Sequence, residues 1–227
     1  MLDELFIGER KCRLFGSEAP ACVLVQPSAR HENATLEGEA AQIASLSKVP
    51  FLLATIELGD WMVELMPWAD ANVSTDPEAG LHAQDTLQYV LLQLLPELRG
   101  RYGPLPVILG GYSLGGLFAL WAGSQTDSFT AIAAASPSVW IHGWIPYARK
   151  HVPMAESVYL SLGKDEKHVR NQAIARVGDN IRAQSTLLQE QLGVGHCTLV
   201  WEEGGHFTDN EGRLARAFAW CSKVCWR

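Results

Sequence analysis

Short apolar, β-branched runs alternate along this chain with longer stretches whose apolar residues return every three or four positions. Residues 10–15, 21–26, 50–57, 105–109, 130–135, 157–162 and 197–201 read as strands. The first two read as two strands joined by a turn at Gly16, Ser17 and Pro20. Leu87, Val90, Leu91, Leu94 and Leu95 recur at helical spacing. So do Ile174, Val177, Ile181, Leu188 and Leu192, and then Leu214, Phe218, Cys221 and Val224. Strand–helix alternation of this kind predicts an α/β fold, with a mostly parallel sheet covered by helices on both faces. No internal repeat, low-complexity tract or Pro/Gly/Ser-rich linker interrupts it, so residues 1–227 are expected to form one domain.

One junction in the pattern carries chemistry. The run Val107-Ile108-Leu109 leads into Gly110-Gly111-Tyr112-Ser113-Leu114-Gly115-Gly116, and an apolar helical run starts at once. A G-x-S-x-G pentapeptide between strand and helix is the arrangement of a nucleophile elbow, with the serine on a sharp, strained turn. The strained turn calls for small neighbours two residues away, here Gly111 and Gly115. In parallel sheets the reacting groups gather at the carboxyl ends of the strands. The run 157–162 ends in Gly163-Lys164-Asp165-Glu166, and the run 197–201 ends in Glu202-Glu203-Gly204-Gly205-His206. Ser113, a carboxylate and His206 therefore follow in that order, each just past a strand. A serine hydroxyl is a weak nucleophile that needs a histidine base, and the carboxylate fixes the imidazole's tautomer. Spacing leaves Asp165 and Glu166 both open as that acid. His196 precedes its strand, at the wrong end of the sheet, and His168 reads as a helix-start residue. His31, His82, His142 and His151 read as surface positions, of which His31 and His142 lie near strand ends.

The oxyanion that forms on attack needs backbone N–H donors. Leu114, after the nucleophile and at a helix start, supplies one. The second is expected from the segment after residues 21–26; Pro27 has no N–H, which leaves Ser28 or Ala29. Segments 59–69 and 136–144 should overhang the strand ends. They hold Trp61, Trp68, Trp140 and Trp144, half of the eight tryptophans, which either wall a substrate pocket or anchor their loops. Tyr112, beside Ser113, is a further candidate to line it.

Composition narrows the setting. The net charge of −7 and the absence of a basic stripe argue against nucleic acid and against an anionic membrane surface. The uncharged stretch 105–126 is broken by glycines, so it does not read as a membrane span. Acidic residues at the start, with no basic and apolar leader, point to the cytoplasm. The cysteines at 12, 22, 197, 221 and 225 are scattered and odd in number, as reduced, buried thiols would be. Cys221 and Cys225 share a helix face in this reading but lack partners for a metal site. The expected partner is a small-molecule ester, with no cofactor and no metal, and with self-association into a homo-oligomer left open.

The segment Gly110-Gly111-Tyr112-Ser113-Leu114-Gly115-Gly116-Leu117-Phe118-Ala119 resembles the elbow of the esterase D-like α/β-hydrolases, and Ala135-Ser136-Pro137-Ser138-Val139-Trp140 resembles that family's S-P-S-x-W signature. The chain order serine, acid, histidine is also theirs. The resemblance runs from about Ala21 to the C-terminus. It implies a compact serine esterase of the siderophore-esterase or S-formylglutathione-hydrolase kind, acting on esters or thioesters through an acyl-enzyme on Ser113. An acyltransferase and a non-catalytic hydrolase-fold binding protein are the alternatives. The family's G-x-x-[DE] placement of the acid, read onto Gly163-Lys164-Asp165-Glu166, implies Glu166, with Asp165 second. About fifty residues separate elbow and acid, which leaves no room for a large cap.

Overall fold

A computed structural model describes residues 1–224. Its centre is one eight-stranded sheet: β1 (Asp3–Ile7), β2 (Arg10–Gly16), β3 (Cys22–Ala29), β4 (Phe51–Leu58), β5 (Val107–Tyr112), β6 (Ala131–Ala135), β7 (Ser157–Gly163) and β8 (Cys197–Glu202). The spatial order is β1-β2-β4-β3-β5-β6-β7-β8. β1 and β2 run antiparallel, β2 pairs antiparallel with β4, and every later pairing is parallel.

The helices are α1 (Leu36–Leu46), α2 (Trp61–Leu65), α3 (Ala83–Tyr89), α4 (Leu95–Tyr102), α5 (Leu114–Ala122), α6 (Trp144–Lys150), α7 (Gln172–Ala175), α8 (Val177–Leu192) and α9 (Asn210–Val224). The inner strands read as unbroken apolar runs because both faces are covered. Successive residues serve opposite cores: Val23, Val25, Leu52, Ala54 and Ile56 face the larger one, and Leu24, Phe51, Leu53 and Ile108 face the one under α1 and α9.

Several expectations change. The turn that joins the strands 10–15 and 21–26 makes no hairpin, since β4 lies between β2 and β3. β3 runs on to Ala29 because its ladder with β4 continues to Ala29↔Leu58, although that with β5 stops at Val25↔Leu109. Past that point β3 has a free edge, which tolerates Pro27. β1 went unread: an edge strand with only Ile7 buried leaves no alternation. The run 87–95 is not one regular helix, because a π-helical turn at Val90–Leu94 links α3 to α4. The run 174–192 is broken at Arg176, between α7, capped by the Asn171 side chain, and α8. Cys12, Cys22, Cys197 and Cys221 are buried, and Cys225 lies outside the described residues. Among the described residues no helix is long and apolar enough to cross a membrane.

Candidate active site

β5 ends at Tyr112 and α5 starts at Leu114, so a single residue makes the turn. That residue, Ser113, sits at φ 56° and ψ −116°. Such a conformation costs a non-glycine residue about 1–3 kcal/mol. Backbone bonds hold it there: Ser113 N–H donates to Ala135 O at 3.1 Å, and its carbonyl accepts from Leu117 and Ser138. A Cβ on Gly111 would come within 2.5 Å of the Gly115 backbone, so Gly111 is sterically fixed. At Gly115 a Cβ would meet only the Trp61 ring at 3.7 Å. The demand for a small residue is therefore one-sided, looser at 115 than the pentapeptide suggests.

The loops after β7 and β8 bring the acid and the histidine to this turn. His206 Nε2 lies 3.0 Å from Ser113 Oγ, and His206 Nδ1 lies 2.7 Å from Glu166 Oε2. The histidine side chain is 30% exposed and the glutamate 3%, so solvent reaches the base but not the acid. Burial pushes the Glu166 carboxyl up; bonds from His206, the Gly163 N–H and Ser136 outweigh it and hold it below its ordinary value. A carboxylate kept ionised in this way can orient the imidazole and stabilise its protonated form.

Glu166 Oε1 accepts from Gly163 N–H at 2.7 Å, Ser136 Oγ at 2.8 Å and Arg213 Nη1 at 2.8 Å. Arg213, on the first turn of α9, is fully buried. Its Nη1 also reaches the Tyr112 hydroxyl and Ser136 Oγ, while Nη2 donates to the carbonyls of Glu203 and Gly205. The Tyr112 hydroxyl in turn donates to the His206 carbonyl at 2.7 Å. One guanidinium thus ties together the acid, the end of the elbow strand and the loop that carries the base. Sequence reading missed Arg213, though a signal existed. It stands four residues before Ala217 and eight before Cys221, a charge on the buried stripe of its helix.

The S-P-S-x-W segment also acquires physical roles. Ser136, at φ 43°, donates to the acid, and Ser138 Oγ lies 3.3 Å from Ser113 Oγ. Of the other expected residues, Asp165 turns to solvent and pairs with His168, which sits in the loop rather than at a helix start. His196 bonds to the Glu156 carbonyl, away from Ser113. His82 pairs with Asp85 and Glu78 at the surface, and His151 stacks on Tyr147. Ser28 and Ala29 belong to β3 itself. The Ala29 N–H is taken by Glu32 Oε2 at 2.8 Å and the Ser28 hydroxyl by the Ile56 carbonyl.

Residues 55–210 match the model of a family described as putative esterase. The chain belongs to the putative esterase family. As a member it is a carboxylic-ester hydrolase. Solved structures with this esterase's fold include the siderophore hydrolase EstA from Aspergillus nidulans: 18% identity, TM-score 0.75, covering 95% of this chain and 90% of that one. EstB from the same organism is 16% identical, with a TM-score of 0.73 and coverage of 96% and 92%. The enterobactin esterase Fes from Shigella flexneri is 18% identical at a TM-score of 0.67, covering 95% of this chain and 56% of that one. A comparison with curated protein sequences finds no match.

The esterase's four candidate pocket tryptophans divide, and two of them open helices, Trp61 in α2 and Trp144 in α6. Trp144 is fully buried, with Nε1 bonded to Gln184, and Trp68 stacks on it with centroids 6.1 Å apart. Trp68 Nε1 also bonds the His142 carbonyl, while the His142 N–H is held by Asp70. These two chiefly anchor their loops. Trp140 is half-buried at a cavity of about 390 Å³ that also involves Asp70, His142 and Arg176. Trp61 and Tyr112 border a second cavity, of about 210 Å³, beside the elbow.

Proposed function

We propose that Ser113, His206 and Glu166 are the catalytic triad of this esterase. The observation that carries the reading is the continuous hydrogen-bonded chain from Ser113 Oγ through His206 to Glu166. His206 Nε2 takes the hydroxyl proton as Oγ attacks the ester carbonyl. The tetrahedral intermediate collapses, the C–O bond to the alcohol breaks, and the leaving oxygen receives the proton from Nε2. Water then attacks the acyl-enzyme, giving one proton to Nε2 and releasing the carboxylic acid as Ser113 regains its own. The Leu114 N–H at the start of α5 receives the oxyanion. Losing one such donor typically lowers turnover about 100- to 1000-fold. The Tyr112 hydroxyl and Arg213 act on the reaction through His206 and Glu166, as positioning groups.

The test combines covalent labelling with turnover. Wild-type protein should react with a fluorophosphonate probe and hydrolyse short-chain 4-nitrophenyl esters. Ser113→Ala should do neither, with a turnover loss on the order of a millionfold. Siderophores, the substrates in the names of EstA and EstB, belong in the same panel. Full activity in Ser113→Ala would refute the assignment. A wild type that neither labels nor turns over would leave a hydrolase fold used for binding.

A further inference from the structure

The cavity beside the elbow holds an unusual set of unmet hydrogen bonds. It is enclosed by Gln26 and Pro27 of β3, His31 and Glu32 of the 3-10 turn after β3, Thr35 and Glu39 at α1, Trp61 of α2, Tyr112 of β5, and the first turn of α9. Gln26 and Glu39 are 4% and 3% exposed. Gln26 Nε2 donates to Glu39 Oε2 at 3.2 Å, which leaves Gln26 Oε1 and Glu39 Oε1 without a partner among the described residues. Asn210 Oδ1 and Trp61 Nε1, on two further residues that border the cavity, are likewise unpartnered among the described residues. Buried polar groups left unbonded cost about 1–3 kcal/mol each, and protein interiors seldom leave several together.

The chemistry of these groups selects their complement. Three of the four are oxygens, and all three accept once Glu39 is ionised, the form that a cation beside it favours. Three carboxyl groups, from Glu32, Glu39 and Glu211, border the cavity, and no lysine or arginine does. An anionic group would meet like charge, and a single hydroxyl would satisfy one acceptor. A primary ammonium brings three donors and a positive charge. No three carboxyl, thiol or imidazole groups among the described residues converge to hold a metal ion, which favours a molecular cation. Burial pushes the Glu39 carboxyl up to about 8, a penalty that a cation beside it would relieve. The orphan donor, Trp61 Nε1, is left for an oxygen of the same molecule.

We propose that this cavity is a substrate subsite for a primary ammonium group, so that the preferred esters carry a protonated amine a few bonds from the scissile carbonyl. The proposal rests on Ser113 being the nucleophile. Tyr112 immediately precedes Ser113 and its ring lies 5.3 Å from that of His206, and the Trp61 ring packs over Gly115, so two of the cavity's walls belong to the surroundings of the elbow.

Two measurements test it. At neutral pH, kcat/KM for 4-nitrophenyl 6-aminohexanoate should exceed that for 4-nitrophenyl heptanoate by about tenfold or more, the scale of one charge-assisted hydrogen bond. That ratio should fall towards one in Glu39→Gln, and part of the way in the less buried Glu211→Gln, which serves if the first variant does not fold. Independently of turnover, calorimetry should detect hexylammonium binding to wild type and to Ser113→Ala, weakened about tenfold or more in either glutamate variant. Equal rates for the two esters in a working esterase, or no hexylammonium binding, would overturn the proposal and leave a water-filled cavity. If neither ester is cleaved, the esterase assignment fails, and calorimetry still decides the cavity.

Discussion

Replacing Arg213 by methionine should both destabilise the protein and disturb Glu166, the acid of the proposed triad. The variant keeps the length and bulk of the side chain but removes the cation on Glu166 Oε1, 2.8 Å away. Breaking one partner out of a buried ion pair costs about 3–5 kcal/mol, because the remaining charge stays desolvated. The carbonyls of Glu203 and Gly205 lose their donor as well, adding to that figure wherever water cannot enter. For a chain of this size each kcal/mol moves Tm by about 2–4 °C, so a drop of about 6–20 °C is expected in a thermal melt. Arg213→Lys restores the charge with a single ammonium, which cannot span the five acceptors the guanidinium serves. It should recover part of the loss.

A destabilised variant alone would show only a structural role, so the decisive readout is the pH profile measured well below the melt. Glu166 sits below its ordinary value because bonds and charge outweigh its burial. Removing a cation tips that balance upward, and the acid limb of kcat/KM should move to higher pH in Arg213→Met. The two effects should also be coupled. In a Glu166→Gln background the further change Arg213→Met should cost markedly less, since the charge it would orphan is gone. An unchanged melt, an unmoved acid limb, or full additivity in that cycle would refute the account of Arg213 as the residue that holds the acid.

Other expectations follow from the same contacts. Glu166→Gln should lower kcat by several orders of magnitude while Asp165→Asn stays near wild type, because only Glu166 bonds His206 and Asp165 pairs with His168 in solvent; comparable losses would undo the assignment. Glu39 should make stability fall with rising pH. Its carboxyl moves from 4.5 to about 8 on burial, so the folded state favours the protonated form; that stability is complete below pH 4.5 and lost as pH rises through 8. The full span amounts to roughly 5 kcal/mol as an upper bound. Glu32 and Glu211 add negative charge in the same cavity, with His31 and Tyr112 also facing it. Urea titrations at pH 6 and pH 9 should show that decline in wild type and a flatter profile in Glu39→Gln.

What the sequence disclosed and what it hid follow one physical division. Ser113, Glu166 and His206 were legible because each stands just past an apolar strand, and strand ends in a parallel sheet share one edge. Local pattern was enough to point to Ser113 and His206, but it left Asp165 beside Glu166, and only the bond to His206 separates the two. The buried stripe of α9 flags Arg213 as a misplaced charge but not its partners: its bonds to Glu166, Ser136 and Tyr112 span 47, 77 and 101 positions of sequence, which no window of hydrophobicity records. Strand β1 was hidden for a different reason: on an edge with one buried residue, burial imposes no alternation. The Gln26–Glu39 pair was equally invisible, since each alone reads as a polar residue in an apolar neighbourhood. Only the fold shows that both lose water against the same cavity. The groups that make bonds in the reaction sit where the backbone pattern puts them. The groups that bond to them are buried polar side chains from distant elements, and it is their unmet or crowded hydrogen bonds that single them out for mutation.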